Sequence, residues 1–238
     1  MRNFLLQQLF RPGIIGFFIN PFFLGRSAMY INVKRLSKNI SGKTLDVGSG
    51  SKPYIGLFNN VTEYIGMDIE QSGHKHQREY IDVFYDGQTF PFEESAFDSL
   101  VFFEVLEHVF NPDTFFKQIK KVVKPNGRCL ITIPFIWGEH EQPYDFARYS
   151  SFGLKHMFDQ HGLEIVEHKK YLTDLRLIFL LINSYLYTVF KRFLPGPLAW
   201  LFIIPFSMVN NFLGLISWIF PSNKDLYFGN IYVLKNKK

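Results

Sequence analysis

The chain has a single cysteine, Cys129, so it can form no intrachain disulfide and offers no thiolate cluster for zinc. That excludes a secreted, disulfide-stapled domain and makes a reducing, cytoplasmic compartment the expectation. Charge is also missing from particular places. Residues 1–45 contain no Asp or Glu, and residues 193–223 contain no Asp, Glu, Lys, Arg or His. The first stretch shows no small-residue cleavage pattern and is interrupted by Pro12, Gly13, Pro21 and Gly25, so it makes a poor signal peptide. The bulk composition lacks the polar excess of a disordered chain: 47% of the 238 residues are apolar and 20% charged, enough for one large domain or a domain with an appendage.

The net charge of +5 is unevenly spread. Residues 1–45 carry seven Lys or Arg, residues 46–171 carry 12 basic against 19 acidic residues, and residues 172–238 carry seven against two. Both basic ends are also the apolar ends, with Phe, Leu and Ile between the cationic residues. That mixture suits a membrane surface, not nucleic acid, which calls for a polar Lys/Arg stripe.

The acidic middle alternates strand and helix patterns, the signature of a parallel sheet wrapped by helices. Residues 44–47, 64–69 and 78–83 have strand composition, and residues 98–103 and 128–134 are near-continuous apolar runs suited to strands covered on both faces. Between the last two, Asn111 is placed as a helix N-cap, Pro112 fits the first helical position, and Phe115, Phe116, Ile119, Val122 and Val123 form an apolar stripe. Pro125-Asn126-Gly127 ends that helix. Another helix is expected after Ser150-Ser151, ending at Gly162 and feeding a strand over residues 163–168. Residues 225–235 again have strand composition and can close the sheet.

Four segments follow: an apolar, basic N-terminal segment (1–40) expected at a membrane interface, a core (41–171), a hydrophobic helical insertion (172–222) and a final core strand (223–238). An insertion between two strands of one sheet leaves and returns on the same side, so it crosses a bilayer twice or not at all. Residues 177–190 span only about 21 Å as a helix, short of the hydrocarbon core. Residues 198–220 are long enough, but Pro205 and Asn210-Asn211 are expected to interrupt them. Lying in one leaflet is therefore expected over spanning, with a cap buried on the protein itself as the alternative.

The strongest local signal is Leu45-Asp46-Val47-Gly48-Ser49-Gly50-Ser51, a strand entering a glycine turn where open α/β sheets bind nucleotides. The dinucleotide fingerprint would need a third glycine at position 53, which is Pro53, so a nicotinamide-dependent reductase is the weaker reading. Asp68 ends the next strand, where a carboxylate can accept both hydroxyls of a ribose.

Taken in order, Asp46-Val-Gly-Ser-Gly50, Gly66-Met-Asp68, Phe97-Asp-Ser-Leu-Val-Phe-Phe-Glu104-Val-Leu-Glu107-His108-Val and Lys124-Pro-Asn-Gly127 resemble the class I S-adenosylmethionine-dependent methyltransferases of the small-molecule type. The resemblance covers residues 44–170 and the last strand. It implies a Rossmann-like α/β fold, a seven-stranded mostly parallel sheet with the last strand antiparallel, and S-adenosylmethionine across the strand ends. It places Gly48 and Gly50 under the methionine and ribose, Asp46 in support of the loop, Asp68 on the ribose and Glu104 near the methionyl end. Asp82 is the expected adenine contact, with Asp86 as its rival. The family's third loop glycine is replaced by Ser51-Lys52-Pro53, and a lysine beside a sulfonium is unfavourable unless it points away.

The acceptor pocket is expected after the fifth strand, in the polar run from Trp137 to Tyr149. His140 is the candidate base, oriented by Glu139 or Glu141, and Tyr144, Asp145 and Arg148 are candidate substrate contacts. The alternative is that His140 and Arg148 only stitch the loop together through Asp145 or Glu141. His108 is expected to be a structural hydrogen bonder, and His74 and His76 solvated loop residues. Methyl transfer from a sulfonium needs no metal, and none is expected. The reading is a methyltransferase for a small-molecule, glycan or lipid-linked acceptor at the cytoplasmic membrane face. A non-catalytic membrane-docking module that keeps the fold is the other class.

Overall fold

The computed structural model describes residues 8–70 and 80–237. His74, His76 and the first residues of the expected third strand lie outside the described residues. The chain divides into two compact units. One takes in the residues up to Ile31, Ile136–Gly138 and Lys170–Phe228; the other takes in Asn32–Phe135, Glu139–Lys169 and the residues from Gly229 onward.

The second unit is built on a seven-stranded sheet in the order β3-β2-β1-β4-β5-β7-β6. Its strands are β1 (Gly42–Val47), β2 (Val61–Ile69), β3 (Val83–Tyr85), β4 (Phe97–Phe103), β5 (Val123–Pro134), β6 (Leu163–Tyr171) and β7 (Gly229–Asn236). Strands β1 to β5 are linked by parallel pairings, and β7 runs antiparallel to β5. The apolar runs are central because both their faces are covered: Leu45, Val47, Leu100, Val101, Phe102, Leu130 and Ile131 are fully buried. Chain order runs outward from β1 through β2 to β3, then returns to β4 on the other side of β1. The carboxyl ends of β1 and β4 therefore flank the switch point, where open α/β sheets leave a crevice.

The helix between β4 and β5 starts where its punctuation dictates, but it ends at Val122, ahead of the expected Pro125-Asn126-Gly127 stop, which lies inside β5. It spans Pro112–Val122, and the Asn111 side-chain Oδ1 accepts the Thr114 N–H at 3.1 Å. All five residues of its expected apolar stripe are buried. The next helix, Ser151–Gln160, is capped by Ser150 Oγ, which accepts the Gly153 N–H at 3.2 Å. Strand β5 starts five residues before the expected run, because Val123 pairs with Phe97 ahead of a register shift that the Pro125-Asn126-Gly127 turn creates. Asn126 takes a φ of +66° there.

The first unit is helical: α1 (Ile14–Ile19), most of α2 (Phe23–Leu36), α5 (Arg176–Phe193) and α6 (Gly196–Ile216), counting the two helices above as α3 and α4. Two sequence expectations fail in α6. Pro205 lies inside one continuous helix, and Asn210 and Asn211 do not interrupt it. The asparagines find partners within the unit. Asn211 Nδ2 donates to the Phe17 and Asn20 carbonyls at 2.9 and 3.2 Å, Asn183 Nδ2 donates to Asn211 Oδ1 at 3.1 Å, and Asn210 Nδ2 donates to Asn183 Oδ1 at 2.9 Å. Satisfied amides no longer compete with the helix backbone, so an apolar helix tolerates them.

Candidate active site

At the carboxyl end of β1 the chain turns through Gly48 and Gly50, both with positive φ (+68° and +47°). The turn is pinned from below, where the Gly48 and Ser49 N–H groups donate to the Met67 carbonyl at 2.8 and 3.2 Å. It is pinned from the side by Asp68, whose Oδ2 accepts the Gly50 N–H at 2.9 Å while Oδ1 accepts the Ile69 N–H at 2.8 Å. A side chain at Gly48 would strike Val105 Cγ2 at 2.5 Å, whereas one at Gly50 would meet nothing within 4 Å. Gly48 is thus a packing glycine, and Gly50 is a glycine whose missing side chain leaves room in the crevice.

The two alanine variants should therefore behave differently. Gly48→Ala combines a clash with left-handed strain and is expected to cost about 2–4 kcal/mol in denaturant unfolding. Gly50→Ala carries only the strain, about 1–2 kcal/mol, but places a methyl group where a ligand would lie. Equal unfolding midpoints for the two variants would contradict this division.

Above the turn is a cavity of about 500 Å³, within the usual range for small-molecule sites. Gly48, Gly50, Asp68, Asp86, Glu104 and Glu141 line it, with Tyr85, His108, Phe110 and Phe146 completing the walls. Glu104, directly after β4, has a φ of +56°, costly for a residue with a side chain and characteristic of site positions. Phe110 and Phe146 meet edge to face at 5.3 Å.

Asp46 sits below the cavity, fully enclosed, and Tyr64 donates its hydroxyl to Asp46 Oδ2 at 2.7 Å. Burial pushes the Asp46 carboxyl up to about 7; the Tyr64 hydrogen bond opposes the shift and the nearby Asp68 charge adds to it. Asp82 is not among the cavity walls. Its carboxylate accepts the Gly66 N–H at 2.6 Å and pairs with the Lys52 ammonium. Burial tends to raise its pKa, but these partners hold it below the ordinary carboxylate range. Of the two expected adenine contacts it is Asp86 that faces the cavity, its Oδ1 accepting the Gln88 and Thr89 N–H groups at 2.8 and 2.7 Å. The Lys52–Asp82 pair also removes the difficulty posed by a lysine in the loop, since Lys52 is turned away from the crevice.

The run after β5 folds back on itself. Arg148 clasps Asp145 with two nitrogens, Nη1 to Oδ1 at 2.5 Å and Nη2 to Oδ2 at 2.6 Å, and the His140 N–H donates to Asp145 Oδ2 at 2.9 Å. Burial works to raise the Asp145 carboxyl, yet Arg148 brings it down to about 2. Asp145 and Arg148 therefore hold the loop together, and neither lines the cavity; nor do His140 and Tyr144. Glu141 and Phe146 do. His108 is a hydrogen bonder, as expected, with Nδ1 2.8 Å from the Tyr144 carbonyl oxygen. Glu107, fully buried, is the residue whose role sequence reasoning missed. Its position directly before His108, just past the fourth strand, was the available signal. Burial, then the charge of Glu104, raise its pKa well above the usual carboxylate range. The His140 imidazole is shifted down, by burial first and by neighbouring His108 second.

These residues fit an adenosyl sulfonium. Gly50 leaves the space a ligand needs, Asp68 presents a carboxylate at the end of β2, and four carboxylates line a cavity whose walls, among the described residues, include no Lys or Arg. Residues 26–168 match a family model described as a methyltransferase domain. No curated protein matches the sequence. Among solved structures, the fold is similar to an S-adenosylmethionine-dependent methyltransferase from Mesorhizobium loti (TM-score 0.56, 10% identity, 89% of this chain and 99% of that one). It is also similar to phosphoethanolamine N-methyltransferase 2 of Haemonchus contortus (TM-score 0.56, 16% identity, 93% of this chain and 56% of that one). A third likeness is to the [4+2]-cyclase SpnF (TM-score 0.53, 16% identity, 87% and 80%). At such identities the likenesses carry the fold alone. The family model covers more than half of the chain, and the chain belongs to the S-adenosylmethionine-dependent methyltransferases of class I.

Proposed function

We propose that the protein methylates a small-molecule, glycan or lipid-linked acceptor at the cytoplasmic face of a membrane, with its helical unit docked on the lipid. The charge of the cavity carries the catalytic half of this reading. Asp68, Asp86, Glu104 and Glu141 face a cavity with no Lys or Arg in its wall among the described residues, which favours a cationic ligand and disfavours the pyrophosphate of a nicotinamide dinucleotide. Bound S-adenosylmethionine supplies an already activated methyl group. The chain's own task is then to align donor and acceptor, worth about 7–11 kcal/mol in favourable cases. Asp68 is proposed to accept the ribose hydroxyls, Asp86 to face the adenine, and Glu104 to lie at the methionyl end. An open cavity with both glycine positions intact favours an enzyme over a docking module that merely retains the fold.

The helical unit supports the membrane half. In α6 the buried residues are small or polar, Ala199, Ser207, Asn211 and Gly214 together with Ile203, whereas Leu201, Phe206, Phe212 and Ile216 are exposed. A helix in water buries its large apolar residues; this one presents them outward and packs on small ones, as helices in lipid do. The stretch Gly196–Ile219 is long and apolar enough to cross a bilayer. Lys191 and Arg192 at the end of α5, however, sit at the turn between α5 and α6. A hairpin with a cationic tip is better placed lying along the headgroups than inserted tip first.

Two measurements test the reading. Incubation with labelled methyl donor and a membrane lipid extract should yield a product heavier by one CH2 group, and failure to bind S-adenosylhomocysteine at all would end the enzymatic reading. Leu201→Glu with Phe212→Glu changes residues already 70% and 55% exposed, so the fold should survive. Flotation on anionic vesicles should be lost, and undiminished flotation would contradict docking through α6.

A further inference from the structure

We propose that Glu107, His108 and His140 form a site for one divalent transition-metal ion at the acceptor end of the cavity. The Glu107 side chain has no solvent exposure, and neither of its carboxylate oxygens has a hydrogen-bond partner. A buried carboxyl in that condition is costly whether or not it is ionised. The nearest nitrogens are His108 Nε2 at 3.9 Å and His140 Nε2 at 4.0 Å, both facing Glu107 Oε1 and both beyond hydrogen-bond reach.

The His108 tautomer follows from what its other ring nitrogen meets. His108 Nδ1 lies 2.8 Å from the Tyr144 carbonyl oxygen, a group that only accepts, so Nδ1 carries the proton and Nε2 the lone pair. His108 Nε2 is itself buried without a hydrogen-bond partner. His140 Nδ1 lies 3.2 Å from Asp145 Oδ2, and its Nε2 is the nitrogen that faces Glu107. Two imidazole nitrogens and a carboxyl group thus converge, within 4.8 Å of one another. A cation resolves that arrangement. Ligands bonded at about 2.1 Å stand roughly 3.0–3.5 Å apart, so the three groups need to close by about half an ångström to somewhat more than one.

The surroundings are those of a metal site's outer shell: a carbonyl orients one imidazole and a carboxylate the other, and that carboxylate is itself clasped by Arg148. Two imidazoles with one carboxylate suit zinc, manganese or iron(II) better than magnesium or calcium. Three protein ligands leave a position open, and His108 lines the cavity with Glu104 and Glu141, so the open position faces the acceptor end. His140 is then a ligand and not a free base. Its role in the reaction rests on the methyltransferase reading: an acceptor hydroxyl bound to the ion gives its proton to water, and its oxygen lone pair forms the new C–O bond. The C–S bonding pair returns to sulfur, leaving a neutral thioether.

The test uses the full chain after chelator treatment, titrated with zinc by calorimetry and with manganese by electron paramagnetic resonance, with magnesium as control. One ion per chain is expected, with two imidazoles in its shell by X-ray absorption, and magnesium should bind more weakly. His140→Ala, on a part-exposed loop, and Glu107→Gln should each weaken uptake at least about 100-fold. If Glu107→Gln does not fold, His140→Ala decides alone. No uptake by the parent, or uptake unchanged in the variants, overturns the site. S-adenosylhomocysteine binding is measured alongside: its loss with metal uptake intact removes the methyltransferase reading and leaves the metal site standing, and the converse removes the metal site alone.

Discussion

Replacing Asp68 with alanine is expected to weaken S-adenosylhomocysteine binding by at least about 100-fold. Asp68 stands at the end of β2, in the cavity wall, with its two oxygens holding the Gly50 and Ile69 N–H groups. A carboxylate has about four acceptor sites on its two oxygens, and the expectation is that two of them take ribose hydroxyls. Hydrogen bonds to a charged group are worth about 1.5–3 kcal/mol each, so losing two costs about 3–6 kcal/mol, or 10² to 10⁴ in affinity. The variant also frees the Gly50 turn. Asp68→Asn separates the two effects: it keeps the size of the side chain, but its NH2 group must face either the Gly50 N–H or a ribose hydroxyl. It should fall between parent and alanine. Calorimetry on all three decides, and alanine-variant affinity within threefold of the parent would remove Asp68 from the binding site.

The sheet was legible because burial on both faces writes itself as uninterrupted apolar runs, and residues 98–103 and 128–134 can hardly be anything else. The start of the α3 helix was legible because Asn111 and Pro112 are local signals that need no tertiary context, whereas its end at Val122 is set by Val123 joining β5, not by Gly127. What sequence could not decide depends on where one long side chain goes. Lys52 pairs with Asp82 and draws it out of the cavity, which leaves the facing position to Asp86. Nothing in the spacing of Asp82 and Asp86 foretells that. Asn210 and Asn211 look like helix breakers until Asn183, 27 and 28 residues earlier, is seen to meet them. In the same way Glu107 and His108 are 33 and 32 residues from His140, and only the loop that Asp145 and Arg148 hold together sets them face to face.

Asp46 should make stability fall as pH rises from about 4 to about 7, and Asp46→Asn should remove that contribution. The Asp46 carboxyl is held at about 7 in the folded chain, against an ordinary value of 3.8. The folded state therefore binds the proton more tightly than the unfolded state. The stabilisation is complete below the ordinary value and disappears as pH rises through the folded value. A shift of this size amounts to about 4 kcal/mol. Carboxylates held low by partners, such as Asp98 beside Lys124, act in the opposite sense, and their contribution is lost only as pH falls below the ordinary range. Between pH 5 and 8 the raised Glu107 carboxyl acts in the same sense as Asp46 and the lowered His140 imidazole in the opposite sense, so the difference between parent and Asp46→Asn isolates Asp46. Asparagine copies the neutral acid, because its carbonyl can still accept the Tyr64 hydroxyl, and it cannot ionise. Tyr64→Phe works the other way: without the hydrogen bond that favours the charged form, the loss should move to higher pH. Urea unfolding of parent, Asp46→Asn and Tyr64→Phe at pH 5 and pH 8 measures all three effects. The support beneath the glycine turn is then a proton-dependent one, firmest when Asp46 is neutral, and parallel pH profiles for parent and asparagine variant would show that Asp46 does not titrate there.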